Sequence, residues 1–225
     1  LVWHYQTIHH DIWDWDLPTH PLLVDVTTES GKRPIVIALG KTGMVYTFHR
    51  DSGDPYFDIE EREVPTDGIL GDQLSPTQPF PVKPPPLVRQ GITPDDAWGV
   101  TPYEREACRE MIASARYGGM FTPMSTKGSI MYPQVGGGAN WGGGAFDPER
   151  NILIVPVAQV PFYVKLIPEE NVDKDLAKTP MAGNPMGPPG LIKGTKYGLQ
   201  QKPLLSPLYT PCTEPPWSML VAVDM

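Results

Sequence analysis

Short apolar runs separated by polar turns recur along this chain, a pattern that indicates β-strands. Residues 21–26 and 34–39 flank a turn at residues 29–32 and predict a hairpin. The second run is apolar on both faces, which predicts an inner strand buried on two sides. Further strands are predicted at residues 1–6, 44–48, 152–157 and 219–224.

One segment, residues 102–117, has the pattern of a helix. Thr101 is placed to cap its first turn, Pro102 suits the first helical position, and Glu104 completes a capping box. Apolar side chains recur on one face, and two glycines at 118 and 119 follow the last turn. We expect one short helix here, with a packing role.

The composition changes this picture mainly through proline and glycine. The 225 residues include 28 prolines and 22 glycines, which excludes long helices over most of the chain and favours an all-β fold with long loops. Residues 55–100 and 168–216 show no strand pattern and are expected to be loop-like. For residues 55–100 an ordered lid and a mobile linker both stay open, and the aromatic and amide groups at 77–80 favour the lid.

A strand followed by an acidic turn occurs three times, at residues 45–53, 144–151 and 220–225. Several short strands with recurring turns suit a β-propeller better than a closed barrel. The first and last residues fall inside such repeats. We therefore expect one partial propeller domain over residues 1–225, a fragment that starts and ends within blades.

Charge and cysteine content exclude some classes of function. A formal net charge of −8 argues against a nucleic-acid partner, because binding phosphates requires a basic surface. No apolar run reaches the roughly 18–20 residues of a membrane helix. Cys108 and Cys212 lack the spacing of a zinc site, and the sequence leaves open whether they are buried thiols or one bridge.

Three segments carry candidate chemistry. Residues 9–16, H-H-D-I-W-D-W-D, crowd three carboxylates and two histidines, which indicates either a functional site or a capped turn above buried tryptophans. Lys41, between two glycines after the inner strand, either faces solvent or points at whatever occupies the centre. The glycines of residues 136–144 admit a flat ligand, another backbone or a sharp sheet corner.

Taken together, several motifs resemble the membrane-bound quinoprotein dehydrogenases, and more narrowly the glucose/quinate/shikimate branch that uses pyrroloquinoline quinone (PQQ). The resemblance runs in order through nearly the whole chain. It is carried by residues 3–18, 40–43, 75–80, 97–99, 108–109, 116–123 and 140–143.

The resemblance implies an eight-bladed propeller whose central funnel holds PQQ and a divalent cation, Mg²⁺ or Ca²⁺. It implies that Asp14 is the base that takes the hydroxyl proton and that Lys41 polarises a quinone oxygen. The metal ligands are expected outside this chain. The remaining polar residues of the cluster are expected to hold or orient the loop, namely Asp11, Asp16, His9 and His10.

The implied activity is oxidation of a sugar, polyol or cyclic polyhydroxy acid, with electrons passed to membrane ubiquinone. The implied location is the periplasmic face of the bacterial inner membrane, with the membrane anchor outside this chain, and the fragment alone is expected to be inactive. One position departs from the family, because an ungapped comparison puts Pro156 where an asparagine contacts the quinone; Asn140 and Gln159 do not match that motif. A non-catalytic propeller acting as an interaction module and a related quinoprotein alcohol dehydrogenase are the alternatives.

Overall fold

The computed structural model describes residues 1–69 and 73–225. Within these ranges the chain forms strands and a single α-helix, α1 (Pro102–Ser114), so the expectation of an all-β chain with one helix is confirmed. The strands are β1 (Leu22–Thr28), β2 (Gly31–Leu39), β3 (Val45–His49), β4 (Ile59–Glu63), β5 (Thr77–Pro81), β6 (Ser129–Met131), β7 (Ala145–Asp147), β8 (Ile152–Ala158), β9 (Phe162–Pro168), β10 (Gly190–Leu191), β11 (Tyr197–Pro203) and β12 (Ser218–Asp224).

The first sheet is the antiparallel array β1-β2-β3, and its hairpin and third strand follow the predicted positions. Ile35, Ile37 and Leu39 on one face of β2 belong to an apolar cluster that is almost completely buried. Ala38 on the other face packs into a second cluster with the tryptophans of residues 13 and 15. The inner strand is therefore covered on both sides, as predicted.

The second sheet, β7-β8-β12, lies against the first. Leu153 and Val155 of β8 are fully buried and share one cluster with Ile35 and Ile37. By the area rule, burying an aliphatic side chain of this size contributes about 1.5–3 kcal/mol. This shared core fixes how the two sheets, and the loops at their ends, face each other.

Residues 1–6 form no strand, so that prediction is wrong. The alternation reflects packing of aromatic side chains on β3: the rings of Trp3 and Tyr5 lie 5.8 and 4.8 Å from that of Phe48. The indole N–H of Trp3 donates to the carbonyl of Arg50 at 2.9 Å. Side chains supply the contact here, without a backbone ladder.

Two insertions leave the sheets, the first between β3 and β7 (residues 50–144) and the second between β8 and β12 (residues 159–217). The prediction of a loop-like stretch at 168–216 is wrong in part, because β10 and β11 lie there, and the 55–100 stretch contains the paired strands β4 and β5. β6 of the first insertion pairs with β9 of the second, in the sheet β10-β11-β9-β6. The two insertions therefore share one sheet.

The helix α1 also joins the insertions. It begins with the predicted capping box of Thr101 and Glu104 and ends at Ser114, earlier than predicted, because Ala115 is extended. Cys108 forms a disulfide with Cys212, which lies 104 positions further along the chain. This bridge answers the question that the sequence left open. No helix in the described ranges is both long and apolar enough to span a bilayer.

Candidate functional site

The acidic loop, residues 6–16, is held in shape by Asp11. One oxygen of its carboxylate accepts from the backbone N–H of Trp13, and the other accepts from that of Trp15, both at 2.8 Å. This is an Asx-type arrangement, in which one short side chain folds the backbone around itself. Asp11 therefore holds the loop, as the resemblance implies.

The side chains of Trp13 and Trp15 anchor the acidic loop to the core. Their rings stack with centroids 5.5 Å apart, and both meet the edge of Phe121, in the first insertion, at 5.4 and 5.2 Å. The indole N–H of Trp13 donates to the carbonyl of Thr122 at 2.9 Å. The tryptophans are buried, whereas the alternating carboxylates Asp14 and Asp16 are exposed.

The hairpin β4-β5 clamps the start of the acidic loop. The buried amide of Gln78 accepts from the backbone N–H of His9 at 2.8 Å and donates to its carbonyl at 2.7 Å. The ring of His9 contacts Glu61 at 3.0 Å. Partial burial raises the pKa of Glu61, but its contacts with His9 and Thr77 outweigh that effect and hold the pKa below its usual value.

Lys41 meets this loop from the turn between β2 and β3. Its Nζ lies 2.8 Å from Oδ2 of Asp14 and 2.7 Å from Oδ1 of Asp16. The lysine side chain is 10 % exposed, whereas those of Asp14 and Asp16 are 71 % and 51 % exposed. Burial alone would lower the pKa of Lys41, but the two carboxylates outweigh it and raise the pKa above its usual value. The two residues named from the sequence are thus in direct contact.

Asp14 has an unusual backbone and an open carboxylate oxygen. Its φ is +66°, a left-handed conformation that is uncommon outside glycine and that clusters at functional sites. Oδ2 accepts the hydrogen bond from Lys41, while Oδ1 has no hydrogen-bond partner in the described residues. The second oxygen is therefore available to a ligand.

The glycine-rich segment approaches another backbone. The N–H of Gly138 donates to the carbonyl of Lys41 at 2.6 Å, and the carbonyl of Gly138 accepts from Ala158 at 2.9 Å. A Cβ on Gly138 would lie 2.5 Å from the Cα of Gly43, so any side chain there would displace the turn. Of the alternatives that the sequence left open, close packing on the Lys41 turn is the one observed.

None of the polar residues near Pro156 takes the place of the asparagine that the family has at this position. Pro156 lies on the exposed side of β8 and pairs with Leu220. Gln159 is buried with its amide committed, accepting from Arg89 N–H at 3.3 Å and donating to Pro216 at 2.6 Å. Asn140 donates within its own segment, to Gly136 at 2.7 Å.

The contacts of two residues at this site were not predictable from the sequence. Asp16 was expected to hold the loop, but its carboxylate pairs with Lys41, and Gln78 was recognised only as part of a motif. Neither partner is near in sequence, so no local pattern could have paired them.

A cavity of about 480 Å³ opens beside Asp14. The acidic loop contributes Ile12 and Trp13, and both insertions contribute apolar side chains, among them Met124 and Leu199. The volume lies within the range of small-molecule sites, about 300–1,000 Å³. Nowhere in residues 1–69 and 73–225, the acidic loop included, is a group of three or more histidine, cysteine or acidic side chains arranged to hold a metal ion.

The chain matches a known protein family. The whole chain, residues 1–225, matches the family model PQQ, described as glucose/ethanol/alcohol dehydrogenase, beta-propeller domain. The quinoprotein glucose dehydrogenase of Escherichia coli is 36 % identical over 100 % of this chain and 28 % of its own length. The quinate/shikimate dehydrogenase (quinone) of Acinetobacter baylyi is 34 % identical over 99 % of this chain and 28 % of its own length.

Among solved structures, the quinohemoprotein alcohol dehydrogenase of Comamonas testosteroni is similar to this chain. The match covers 99 % of this chain and 25 % of the length of the Comamonas protein. The identity is 16 % and the TM-score is 0.49. A likeness of that size adds nothing to the family assignment. The chain spans about 28 % of the length of the curated relatives it matches. The expectation of a partial propeller is confirmed by the family match, and the chain belongs to the β-propeller family of PQQ-dependent glucose, ethanol and alcohol dehydrogenases.

Proposed function

We propose that the full-length protein is a PQQ-dependent dehydrogenase that oxidises a CH–OH group of a sugar, polyol or cyclic polyhydroxy acid. The observation that carries this proposal is the contact, at 2.8 Å, between a buried lysine ammonium and the carboxylate of Asp14 in a chain of this family. The proposal includes ubiquinone as acceptor, since one relative is named for a quinone, and the periplasmic face of the bacterial inner membrane as the location.

Asp14 is the proposed general base. Its Oδ1 faces no competing donor among the described residues, and the cavity beside it can admit a small alcohol. A carboxylate within hydrogen-bond reach of a substrate hydroxyl can accept its proton as the C–H bond breaks. The contact with Lys41 leaves this oxygen free while it fixes the other.

Lys41 is the proposed cofactor contact. An ammonium has three N–H donors, and the two carboxylates leave at least one for another acceptor. A donor of this kind fits a quinone oxygen, on which negative charge develops. When bound, PQQ supplies the ortho-quinone that accepts the hydride. A divalent cation, Mg²⁺ or Ca²⁺, completes the proposal, and the described residues offer no cluster for it.

The insertions are the proposed determinants of substrate choice. The cavity beside Asp14 takes side chains from both of them, Met124 from the first and Leu166 and Leu199 from the second. Their shared sheet and disulfide keep these side chains in place over the acidic loop. The 55–100 stretch would then act as part of an ordered lid, as the sequence favours.

The proposal is tested on the full-length protein supplied with PQQ and Mg²⁺ or Ca²⁺, by reduction of an artificial electron acceptor. Asp14→Asn should retain the fold and lower turnover by about 10²–10⁴-fold, the usual contribution of a general base. The matched control is Asp25→Asn, which removes an aspartate that pairs with Arg50 at 2.6 Å, far along the sheet. Unchanged turnover in Asp14→Asn would refute the assignment. The 225-residue chain alone should be inactive.

A non-catalytic propeller is the second candidate, and Pro156 motivates it, because proline has no N–H to offer at a cofactor position. The two candidates differ in cofactor binding. Titration of the full-length protein with PQQ should give a saturable spectral change for the enzyme and none for an interaction module.

A further inference from the structure

We propose that Asp16 is a positioning residue for Lys41, which keeps the ammonium charged and in place when Asp14 takes up the substrate proton. This inference rests on the proposed function for its consequences in turnover. The contact itself is independent of that function and can be measured on the protein alone.

Asp16 makes two contacts with Lys41, one with its side chain and one with its backbone. Its carboxylate lies 2.7 Å from Nζ, and its backbone carbonyl accepts from the backbone N–H of Lys41 at 3.3 Å. Asp14 has one contact of this kind, at 2.8 Å. The end and the root of the lysine side chain are therefore both fixed by the same residue.

The charges explain why a second carboxylate is needed. A lysine that is 10 % exposed is stable as an ammonium only while a counter-charge offsets its lost hydration. Protonation of Asp14 removes one of its two counter-charges at the moment when a cofactor oxygen needs the ammonium. Asp16 is the counter-charge that remains, because in the proposed mechanism the substrate proton goes to Asp14.

No other charged side chain in the described residues takes over this role. The salt-bridge partners of Lys41 there are Asp14 and Asp16, and these same two groups raise its pKa. The glycine-rich segment that packs on the turn contributes backbone N–H groups and no charge, from Gly138 to the carbonyl of Lys41 and from Ala139 to that of Gly40. Loss of Asp16 therefore leaves Lys41 dependent on the residue that is itself titrated.

Competitive acetylation of the full-length apoprotein between pH 8 and 11, followed by mass spectrometry of the Lys41 peptide, measures how readily the amine loses its proton. Asp16→Asn should raise the reactivity of Lys41 about fivefold at a fixed pH, the factor expected when one partly exposed ion pair is lost. Asp16→Glu should restore the wild-type curve. Asp25→Asn, which removes a similar ion pair from β1, should leave it unchanged.

An unchanged Lys41 curve in Asp16→Asn would overturn the inference, and so would a change of equal size in Asp25→Asn. If Asp16→Asn fails to fold, the reactivity of Lys41 is compared between Asp16→Glu and Asp16→Gln. These two variants differ in charge but have side chains of nearly equal size. In turnover assays with PQQ, the alkaline limb of the pH–activity profile should lie at lower pH for Asp16→Asn than for the wild type. Absence of any PQQ-dependent turnover would refute the proposed function and leave the labelling result to decide the role of Asp16.

Discussion

Two buried charges in this chain, Lys41 and Glu104, are accommodated in opposite ways. Glu104 is 1 % exposed, and each of its oxygens accepts two hydrogen bonds, all from neutral donors. Lys41 is offset by two exposed carboxylates and keeps donor capacity to spare. A carboxylate with every lone pair occupied can only hold structure, whereas an ammonium with a spare donor and solvent-exposed partners can take part in chemistry.

The donors to Glu104 show what it holds together. Thr101 begins α1 in the first insertion, while Ser206 and Thr210, at 2.7 and 2.6 Å, belong to the second. Hydrogen bonds from Thr210 and Ser206 lower the pKa of Glu104 below its usual value. Together with the disulfide of Cys108 and Cys212, this carboxylate joins the two insertions.

The comparison predicts that Lys41 is needed for activity more than for folding. Lys41→Ala should lower turnover about 10²-fold, as expected for a preorganised donor to developing charge, and weaken binding of PQQ. Turnover and a PQQ titration of the full-length protein measure both. The control is Lys32→Ala, an exposed lysine near the start of β2. An equal effect of the two substitutions would remove Lys41 from the site.

In contrast to Lys41, the disulfide that joins the two insertions should matter for stability more than for activity. The double variant Cys108→Ser with Cys212→Ser should lower the free energy of unfolding by about 2–4 kcal/mol, because the bridge closes a long loop. Denaturant unfolding of the full-length protein, with and without reductant, measures this loss. Wild-type protein under reducing conditions should match the variant. Equal stability of all forms would show that the bridge does not hold the insertions.

The smallest effect is expected at Glu104 itself. Glu104→Gln puts an amide donor against hydroxyl and N–H donors, so the melting temperature should fall by a few degrees while turnover stays unchanged. Because the pKa of Glu104 is lowered on folding, its contribution is present above the usual value of 4.5 and is lost as the pH falls through the lowered value. Thermal melts from pH 3 to 7 should therefore converge for wild type and variant at the acid end.

The control for that variant is Glu106→Gln, an exposed carboxylate on the same helix. If it shifted the melting temperature as far as Glu104→Gln, the hydrogen bonds of Glu104 would carry no special weight.

Local features of this fold were predictable from the sequence. The hairpin of β1 and β2 and the capping box of α1 depend on neighbours within a few residues, and periodicity and capping chemistry reveal them. β9 and β11 were missed because they are stabilised by each other and by β6, a partner from a different insertion. Proline and charged residues in these strands also hide the alternation that marks a strand.

The candidate site shows the same division. Crowding of ionisable groups and the family resemblance singled out Asp14 and Lys41, and the structure brings them together. Asp16 was assigned to the loop because nothing in its neighbourhood points to a lysine 25 positions away, which only the packing of the turn on the loop supplies. The glycine-rich segment left three interpretations, since glycine permits close approach without saying to what.

Gly138 also sets an order of events during synthesis. It ties the Lys41 turn on one side to Ala158 on the other, so the turn reaches its final position only after β8 has been made. That strand is made roughly 110 residues after Lys41, which at about 5–20 residues per second is a delay of about 5–20 s. During that interval the first sheet can fold and Lys41 can meet Asp14 and Asp16, but the turn still lacks the glycine-rich segment that packs on it. The packing around the candidate site is therefore completed only late in synthesis, although its charged residues are made early.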